Sequence, residues 1–283
     1  MMLTGKARLA GVIGWPVAHS LSPKLHGTWL ERYGIDGAYV PLAVDPSDLA
    51  AVVRSLPLMG FRGINVTLPH KAKIIDLCDQ VDDGARRIGA VNTVIFDEQG
   101  MMGRNTDAFG FIENLKAAVP DFVYAGKTAL VLGAGGAARA VVAALCDEGC
   151  TSFRIVNRTR DQAEDLIKDV LGGFGVQSTI VDWMDRSDAV AGAGVVINAT
   201  ALGMEGMEPL HIALDDLDPA ALVTDIVYAP LQTDLLRAAQ ARGNSVVDGL
   251  GMLLHQARPG FEAWFGHRPV VDNDLRRRVL AKS

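Results

Sequence analysis

Thr128-Ala-Leu-Val-Leu-Gly-Ala-Gly-Gly-Ala-Ala-Arg139 passes from a short aliphatic segment into a glycine turn and then into the alanine-rich run Ala140 to Leu145. The spacing is G-x-G-x-x-A. Gly133 permits a tight turn, Gly135 lets the backbone approach a pyrophosphate, and Ala138 allows the helix to lie close to its strand. The helix N-terminus adds free N–H groups pointing at the phosphates. A second aliphatic run, Phe153 to Val156, follows at the distance of a βαβ unit. Strand, turn, helix and strand together predict a dinucleotide site rather than a turn that is merely tight.

The end of that second strand discriminates between cofactors, because an acid there accepts from the ribose 2′-OH of NAD and repels a 2′-phosphate. This chain carries Asn157-Arg158-Thr159-Arg160 instead. Asn157 is neutral, Arg158 can pair with a phosphate through two N–H groups, and Thr159 offers a hydroxyl, which favours NADP. The alternative is a surface arginine beside a helix cap.

Outward from this turn, short β-branched runs alternate with Ala/Leu-rich segments, the pattern of βαβ units and a mainly parallel sheet. In the second half the strands are predicted at Thr128 to Leu132, Ser152 to Asn157, Gln177 to Val181, Val195 to Ala199, Leu222 to Tyr228 and Ser245 to Val247. In the first half they fall at Arg8 to Ile13, Ala38 to Leu42 and Gly63 to Thr67, then in a hairpin of Thr93 to Phe96 with Met101 to Gly103. Helices are predicted from Pro23 to Tyr33, Pro46 to Leu56, His70 to Leu77, Asp83 to Ile88 and Asp107 to Ala118. A further helix, from Gly249 to Trp264, is expected to break near Pro259.

The 283 residues allow two ordinary domains, and 49% hydrophobic with 21% charged residues is a globular balance. A net charge of −6 argues against a nucleic-acid partner held by a general basic field, so anions must be caught by local groups. The basic run Arg276-Arg277-Arg278 reads as a solvated helix face. Cys78, Cys146 and Cys150 show no CxxC spacing, and the histidines show no metal-ligand pairing, so neither a disulfide framework nor a metal site is expected. With no signal-like h-region and no bilayer-length apolar run, a cytoplasmic protein without a membrane partner is the expectation.

Three polar stretches in the first half invite chemistry. In His19-Ser-Leu-Ser-Pro23, Ser22 reads as a helix N-cap, while Ser20 and Ser22 at a helix start also form a small carboxylate site; the pattern leaves both open. In Asn65-Val-Thr-Leu-Pro-His-Lys71, Asn65 and Thr67 share a strand face. Lys71 falls in the first turn of the next helix, where the positive dipole end would lower its pKa and suit it to proton transfer. Lysine is scarce, 8 against 19 arginines, yet on spacing alone a solvated lysine at a helix start is the better reading. Asn92 opens the hairpin, and Asp107 in the first turn of a helix should stay ionised, as a cap or as a partner for Lys71.

In chain order these pieces are Ser20-Leu-Ser-Pro23, Asn65 to Lys71, Gly89-Ala-Val-Asn-Thr93, Asn105-Thr-Asp107, Gly133-Ala-Gly-Gly-Ala137, Asn157-Arg-Thr159, Asn198-Ala-Thr200, Asp225-Ile-Val-Tyr228 and Gly249-Leu-Gly-Met-Leu-Leu-His-Gln256. The series resembles the shikimate dehydrogenase family, in the shikimate/quinate dehydrogenase superfamily, from about residue 9 to 265. The resemblance implies an α/β fold of two domains with a cleft between them. An N-terminal, mainly parallel substrate domain would span 1–106 with 250–283, and a Rossmann-like NADP domain 107–249. The implied reaction is reversible NADPH-dependent reduction of 3-dehydroshikimate to shikimate, towards chorismate and the aromatic amino acids.

Carried over residue by residue, the resemblance gives the substrate carboxylate to Ser20 and Ser22. The ring hydroxyls go to Asn65, Thr67, Lys71, Asn92, Asp107 and Gln256, with Tyr228 nearby. Lys71 matches the catalytic acid/base and Asp107 its partner. The cofactor would be held by Gly133, Ala134, Gly135, Gly136, Ala137, Asn157, Arg158, Thr159, Thr200, Ile226, Gly249, Met252 and Asp83. The resemblance leaves room for a homodimer. Gln162 stands where many NADP-using relatives carry a second arginine, which bears on cofactor strictness. The competing readings are a quinate/shikimate dehydrogenase using NAD or both cofactors, and a nucleotide-binding regulator without catalysis.

Overall fold

A computed structural model describes residues 3–281 and resolves the alternating pattern into two units. One takes the chain up to Thr106 and again from Leu254 onward; the other takes Asp107–Leu253.

The first unit opens with β1 (Arg8–Gly14), α1 (Ser22–Arg32), β2 (Gly37–Ala43), α2 (Leu49–Ser55), β3 (Phe61–Val66), β4 (Gln80–Val81), α3 (Asp83–Ile88), β5 (Thr93–Asp97) and β6 (Gly100–Arg104). Its six-stranded sheet has the order β2-β1-β3-β5-β6-β4. β1 lies parallel to β2 and β3 and is buried along most of its length, which explains its nearly continuous apolar run. The predicted hairpin forms: β5 and β6 pair antiparallel, and β5 also runs antiparallel to β3. Ile13, Ile64, Val66 and Val94 pack on Val53 and Leu56 beneath one face.

The second unit contains α4 (Asp107–Ala118), β7 (Thr128–Leu132), α5 (Gly136–Asp147), β8 (Ser152–Val156), α6 (Arg160–Asp169), β9 (Gln177–Val181), β10 (Val195–Asn198), β11 (Leu222–Asp225), α7 (Asp234–Ala241) and β12 (Ser245–Val247). Its strands are all parallel, in the order β12-β11-β10-β7-β8-β9. This is the doubly wound order of a Rossmann-like sheet. Its switch point lies between β7 and β10, where ligands bind beyond the carboxyl ends of the strands. The alanines of α5 serve this packing, since Ala138 and Ala140 are fully buried and let the helix lie close.

The chain returns to the first unit along α8 (Leu250–Phe265), and α9 (Asn273–Leu280) follows. Arg277 and Arg278 are exposed on α9 and pair with Asp274, as a solvated face should. The predicted break at Pro259 does not occur, and α8 runs through it. Leu254, Phe261 and Trp264 are buried on both sides of the proline, and that burial outweighs one missing backbone bond.

Three other expectations are corrected. The α-helix from His70 to Leu77 is a short 3₁₀ segment, Lys73–Leu77, so Lys71 precedes it rather than occupying its first turn. Its carbonyl accepts from the Val91 N–H at 2.8 Å, a partner from another segment of the chain. Ser22 is not the N-cap of α1: Leu21 holds that position, and Ser20 Oγ accepts from the Ser22 N–H at 3.3 Å. The strand predicted to Tyr228 stops at Asp225, whose carboxylate accepts from the Val227 N–H at 2.9 Å and turns the chain.

Candidate active site

In the first unit, three backbone segments are bonded side by side at the end of the sheet. Besides the Val91 to Lys71 bond, the Asn92 N–H donates to the Arg104 carbonyl at 3.0 Å, and the Val66 N–H donates to the Asn92 carbonyl at 2.8 Å. Asn105 Nδ2 donates to the Ala90 carbonyl at 2.9 Å. Strand pairing therefore gathers Asn65, Thr67, Lys71 and Asn92 with the chain leading into Asp107.

The side chains are then fixed by complementary bonds. Asn92 Oδ1 accepts from the Thr106 N–H at 2.9 Å, the Thr106 hydroxyl at 3.1 Å and the Thr93 hydroxyl at 3.0 Å. With that oxygen saturated, Asn92 faces a ligand as a donor, and its Nδ2 lies 3.4 Å from Gln256 Oε1. Asn65 Nδ2 donates to the Asn92 carbonyl and to Thr93 Oγ1, both at 3.1 Å, while its Oδ1 accepts from the Tyr39 hydroxyl at 2.6 Å. Both amide protons are thus spent, and Asn65 can offer a ligand only one remaining lone pair.

Ser20, Ser22, Asn65, Thr67, Lys71, Asn92 and Gln256 belong to the first unit; Asp107 and Tyr228 belong to the second. Lys71 and Thr67 are half-buried, whereas Asp107 is buried in the first turn of α4. Burial raises the Tyr228 phenol above its ordinary pKa, so it is a neutral hydrogen-bonding group. Asp83 is exposed at the start of α3 in the first unit, apart in sequence and in unit from the glycine turn.

At the switch point of the second sheet, Gly133 has φ +108, and its N–H donates to the Val156 carbonyl at 2.8 Å. A Cβ there would meet the Ala199 carbonyl oxygen at 2.9 Å and Thr200 Cγ2 at 3.1 Å, so the turns after β7 and β10 touch through this glycine. Gly135 caps α5 without a side-chain bond, and a Cβ at Gly135 or Gly136 would meet open space. Ala134 is buried behind the turn and Ala137 is half-exposed. Gly249 answers a different demand, since a Cβ would fall 2.2 Å from the Ile226 carbonyl oxygen. Met252 is buried in the first turn of α8.

At the end of β8, Asn157 Nδ2 donates to the Thr159 carbonyl at 2.8 Å and to Gln162 Oε1 at 3.0 Å. Arg158 is exposed, with its guanidinium carbon 6.0 Å from the Trp183 ring centroid. Thr159 precedes α6 and makes no side-chain capping bond. An open helix N-terminus fronted by glycines, with a cation and no carboxylate at the end of the next strand, fits NADP.

Asn198 and Asp225, quoted among the motifs but given no role, organise this side of the sheet. Asn198 Oδ1 accepts from the Thr200 N–H at 3.0 Å and hydroxyl at 2.7 Å, and Asp225 Oδ2 accepts from the Thr233 hydroxyl at 2.8 Å. Tyr39 was missed altogether. A tyrosine in a short strand carries no local signal for the partner it meets across the sheet.

Three family descriptions match the chain: "Shikimate dehydrogenase substrate binding domain" over residues 12–94, "Shikimate / quinate 5-dehydrogenase" over 116–212, and "Shikimate 5'-dehydrogenase C-terminal domain" over 249–273. Among curated relatives, the NADP(+) shikimate dehydrogenase of Paramagnetospirillum magneticum is 56% identical over 280 residues, covering 99% of this chain and 100% of the relative. That of Paracoccus denitrificans is 56% identical over 276 residues, covering 97% and 96%. A crystal structure of shikimate 5-dehydrogenase from Thermus thermophilus in complex with NADP(H) and shikimate is 37% identical, with a TM-score of 0.83 over 96% of this chain and 100% of the other.

Proposed function

Because this chain belongs to the shikimate dehydrogenase family, we propose that it reduces 3-dehydroshikimate to shikimate with NADPH, reversibly, and that the residues gathered in its two units divide the work. The unit up to Thr106 and from Leu254 onward takes the substrate, and the doubly wound unit takes the cofactor. The observation that carries the assignment is the full-length likeness to NADP-dependent shikimate dehydrogenases, with the glycine turn and Thr200 meeting at the switch point and Arg158 closing the next strand.

NADPH supplies a hydride to the substrate carbonyl carbon when bound. The protein's part is to hold the acceptor and manage the charge that develops on oxygen. Ser20 and Ser22, at the start of α1, offer hydroxyls and a helix N-terminus to the substrate carboxylate. Asn92 donates and Asn65 accepts, so the ring hydroxyls meet groups of defined polarity. Thr67, Gln256 and Tyr228 complete the hydroxyl contacts. Lys71 donates a proton to the developing alkoxide in reduction and accepts it back in oxidation, and Asp107 orients the ammonium and the reacting hydroxyl. On the cofactor side, the N–H groups of Gly133 to Ala137 would hold the pyrophosphate, and Asn157, Arg158 and Thr159 would hold the 2′-phosphate. Thr200, Ile226, Gly249 and Met252 shape the nicotinamide end.

The assignment is tested by mixing purified protein with shikimate or quinate and with NADP+ or NAD+, and following reduced-cofactor absorbance. The highest kcat/KM is expected for shikimate with NADP+. No shikimate-dependent reduction with either cofactor would overturn the proposal.

A further inference from the structure

Against Asn65 of the first unit sits a phenol that none of the motifs contains. Tyr39 stands on β2 opposite Ala10 of β1 and is buried. Its hydroxyl donates to Asn65 Oδ1 at 2.6 Å, the shortest bond that the amide makes. The phenol on β2 therefore reaches across β1 to a residue of β3, strands that are not neighbours in the sheet.

The ring is held as firmly as the hydroxyl. It stacks on the His26 imidazole with centroids 3.9 Å apart and planes 1° from parallel, and Trp264 lies 6.0 Å away by centroid. Trp29 and Phe261 close the other sides of His26 at 5.7 and 5.8 Å. Burial lowers the His26 pKa to about 3, with Asn65 opposing only part of that, so the imidazole is a neutral stacking partner. The phenol in turn stays protonated, its pKa raised by burial. A neutral ring pair locked in an aromatic box gives the hydroxyl one position.

That position determines polarity. With the Tyr39 proton on Oδ1, the Asn65 amide cannot flip without losing three bonds, so the lone pair it offers has a fixed direction. We propose that Tyr39 is a positioning residue for the substrate, its hydroxyl fixing the Asn65 amide so that Asn65 meets the ligand in a set orientation. This role rests on the assignment of Asn65 as a substrate ligand.

Tyr39→Phe removes one oxygen and keeps the stacking ring. The expected result is a KM for shikimate raised about three- to tenfold, as for one lost hydrogen bond, with the KM for NADP+ unchanged and kcat altered by less than about twofold. Asn65→Leu and the double variant complete a cycle, in which the combined effect on shikimate KM should be less than the product of the two single effects. An unchanged shikimate KM, a parallel rise in both KM values, or strict multiplicativity would each reduce Tyr39 to packing and overturn the proposal. Wild-type protein inactive on shikimate would instead overturn the functional assignment, and the control shows this before any variant is compared. If Tyr39→Phe does not fold, Asn65→Asp reports on the same bond: its carboxylate keeps the Tyr39 contact but loses two amide donors. Shikimate KM should then rise less than in Asn65→Leu, and equal KM values would overturn the proposal.

Discussion

Asn198 Nδ2 donates to Asp225 Oδ1 at 3.0 Å, joining the carboxyl ends of β10 and β11 beneath the turns that carry Thr200 and Ile226. The same oxygen accepts from the Val227 N–H at 2.9 Å, Oδ2 accepts from Thr233 at 2.8 Å, and the Ile226 N–H donates to the Asn198 carbonyl at 3.0 Å. One buried carboxylate thus sets the shape of two cofactor-side loops. Asp225→Ala would leave three buried donors unpaired and should lower unfolding free energy by about 3 kcal/mol, measured by urea denaturation.

Asp225 also predicts a pH dependence. Burial raises its pKa above the usual 3.8, with the bonds from Val227, Thr233 and Asn198 opposing. The folded chain therefore binds this proton more tightly than the unfolded chain. The contribution is fully present below 3.8 and is lost as pH rises through the raised value. Stability relative to Asp225→Asn should fall with rising pH just above 3.8 and then level off, in urea titrations at stepped pH. A difference that grows with pH across that window would contradict the raised value.

Gly133→Ala tests the switch-point turn. The left-handed backbone and the 2.9 Å approach to the Ala199 oxygen both oppose a Cβ. The variant should lose about 1–3 kcal/mol of stability and bind NADPH at least about tenfold more weakly, by thermal unfolding and by fluorescence titration. Shikimate binding measured without cofactor should be unaffected.

Arg158 separates the two cofactors. Arg158→Leu should lower kcat/KM for NADP+ by about 10- to 100-fold, the worth of a charge-assisted bond to the 2′-phosphate. The value for NAD+ should change by less than about twofold. Equal losses with both cofactors would place Arg158 outside the 2′-phosphate site.

Lys71→Ala should cut turnover by about 10²- to 10⁴-fold, the usual range for a positioned acid/base group, with little change in shikimate KM. Near-normal turnover would remove Lys71 from the chemistry. A loss carried wholly by KM would make it a binding residue.

The parts of the fold that were legible beforehand are those built from neighbouring residues. The glycine turn, the hairpin around Asp97 and Gly100, and the helices at Asp83 and Asp107 all depend on local backbone preference and apolar period. A helix was expected at Lys71, but its carbonyl is claimed by Val91 from another segment; Ser22 was expected to cap, but Ser20 takes its N–H. Pro259 was expected to break a helix that burial of Phe261 and Trp264 sustains. At Lys71 and Pro259 a bond or a packed face from elsewhere in the chain overrode the local tendency, whereas at Ser22 a hydroxyl two residues back competed for the N–H.

Read alone, the sequence determined the doubly wound half of this protein and the chemical character of its cofactor turn. A strand, two glycines, a small residue and an arginine at fixed spacing leave the backbone few other choices. It also supplied the polar residue types of the other half and their order. Only the tertiary structure decided what those residues can offer: that both amide protons of Asn65 are spent, that the side-chain oxygen of Asn92 is saturated, and that Tyr39 and Asp225 hold the rest. The reason is that donor and acceptor capacity is shared among groups distant in sequence, and strand register alone brings them within hydrogen-bonding reach.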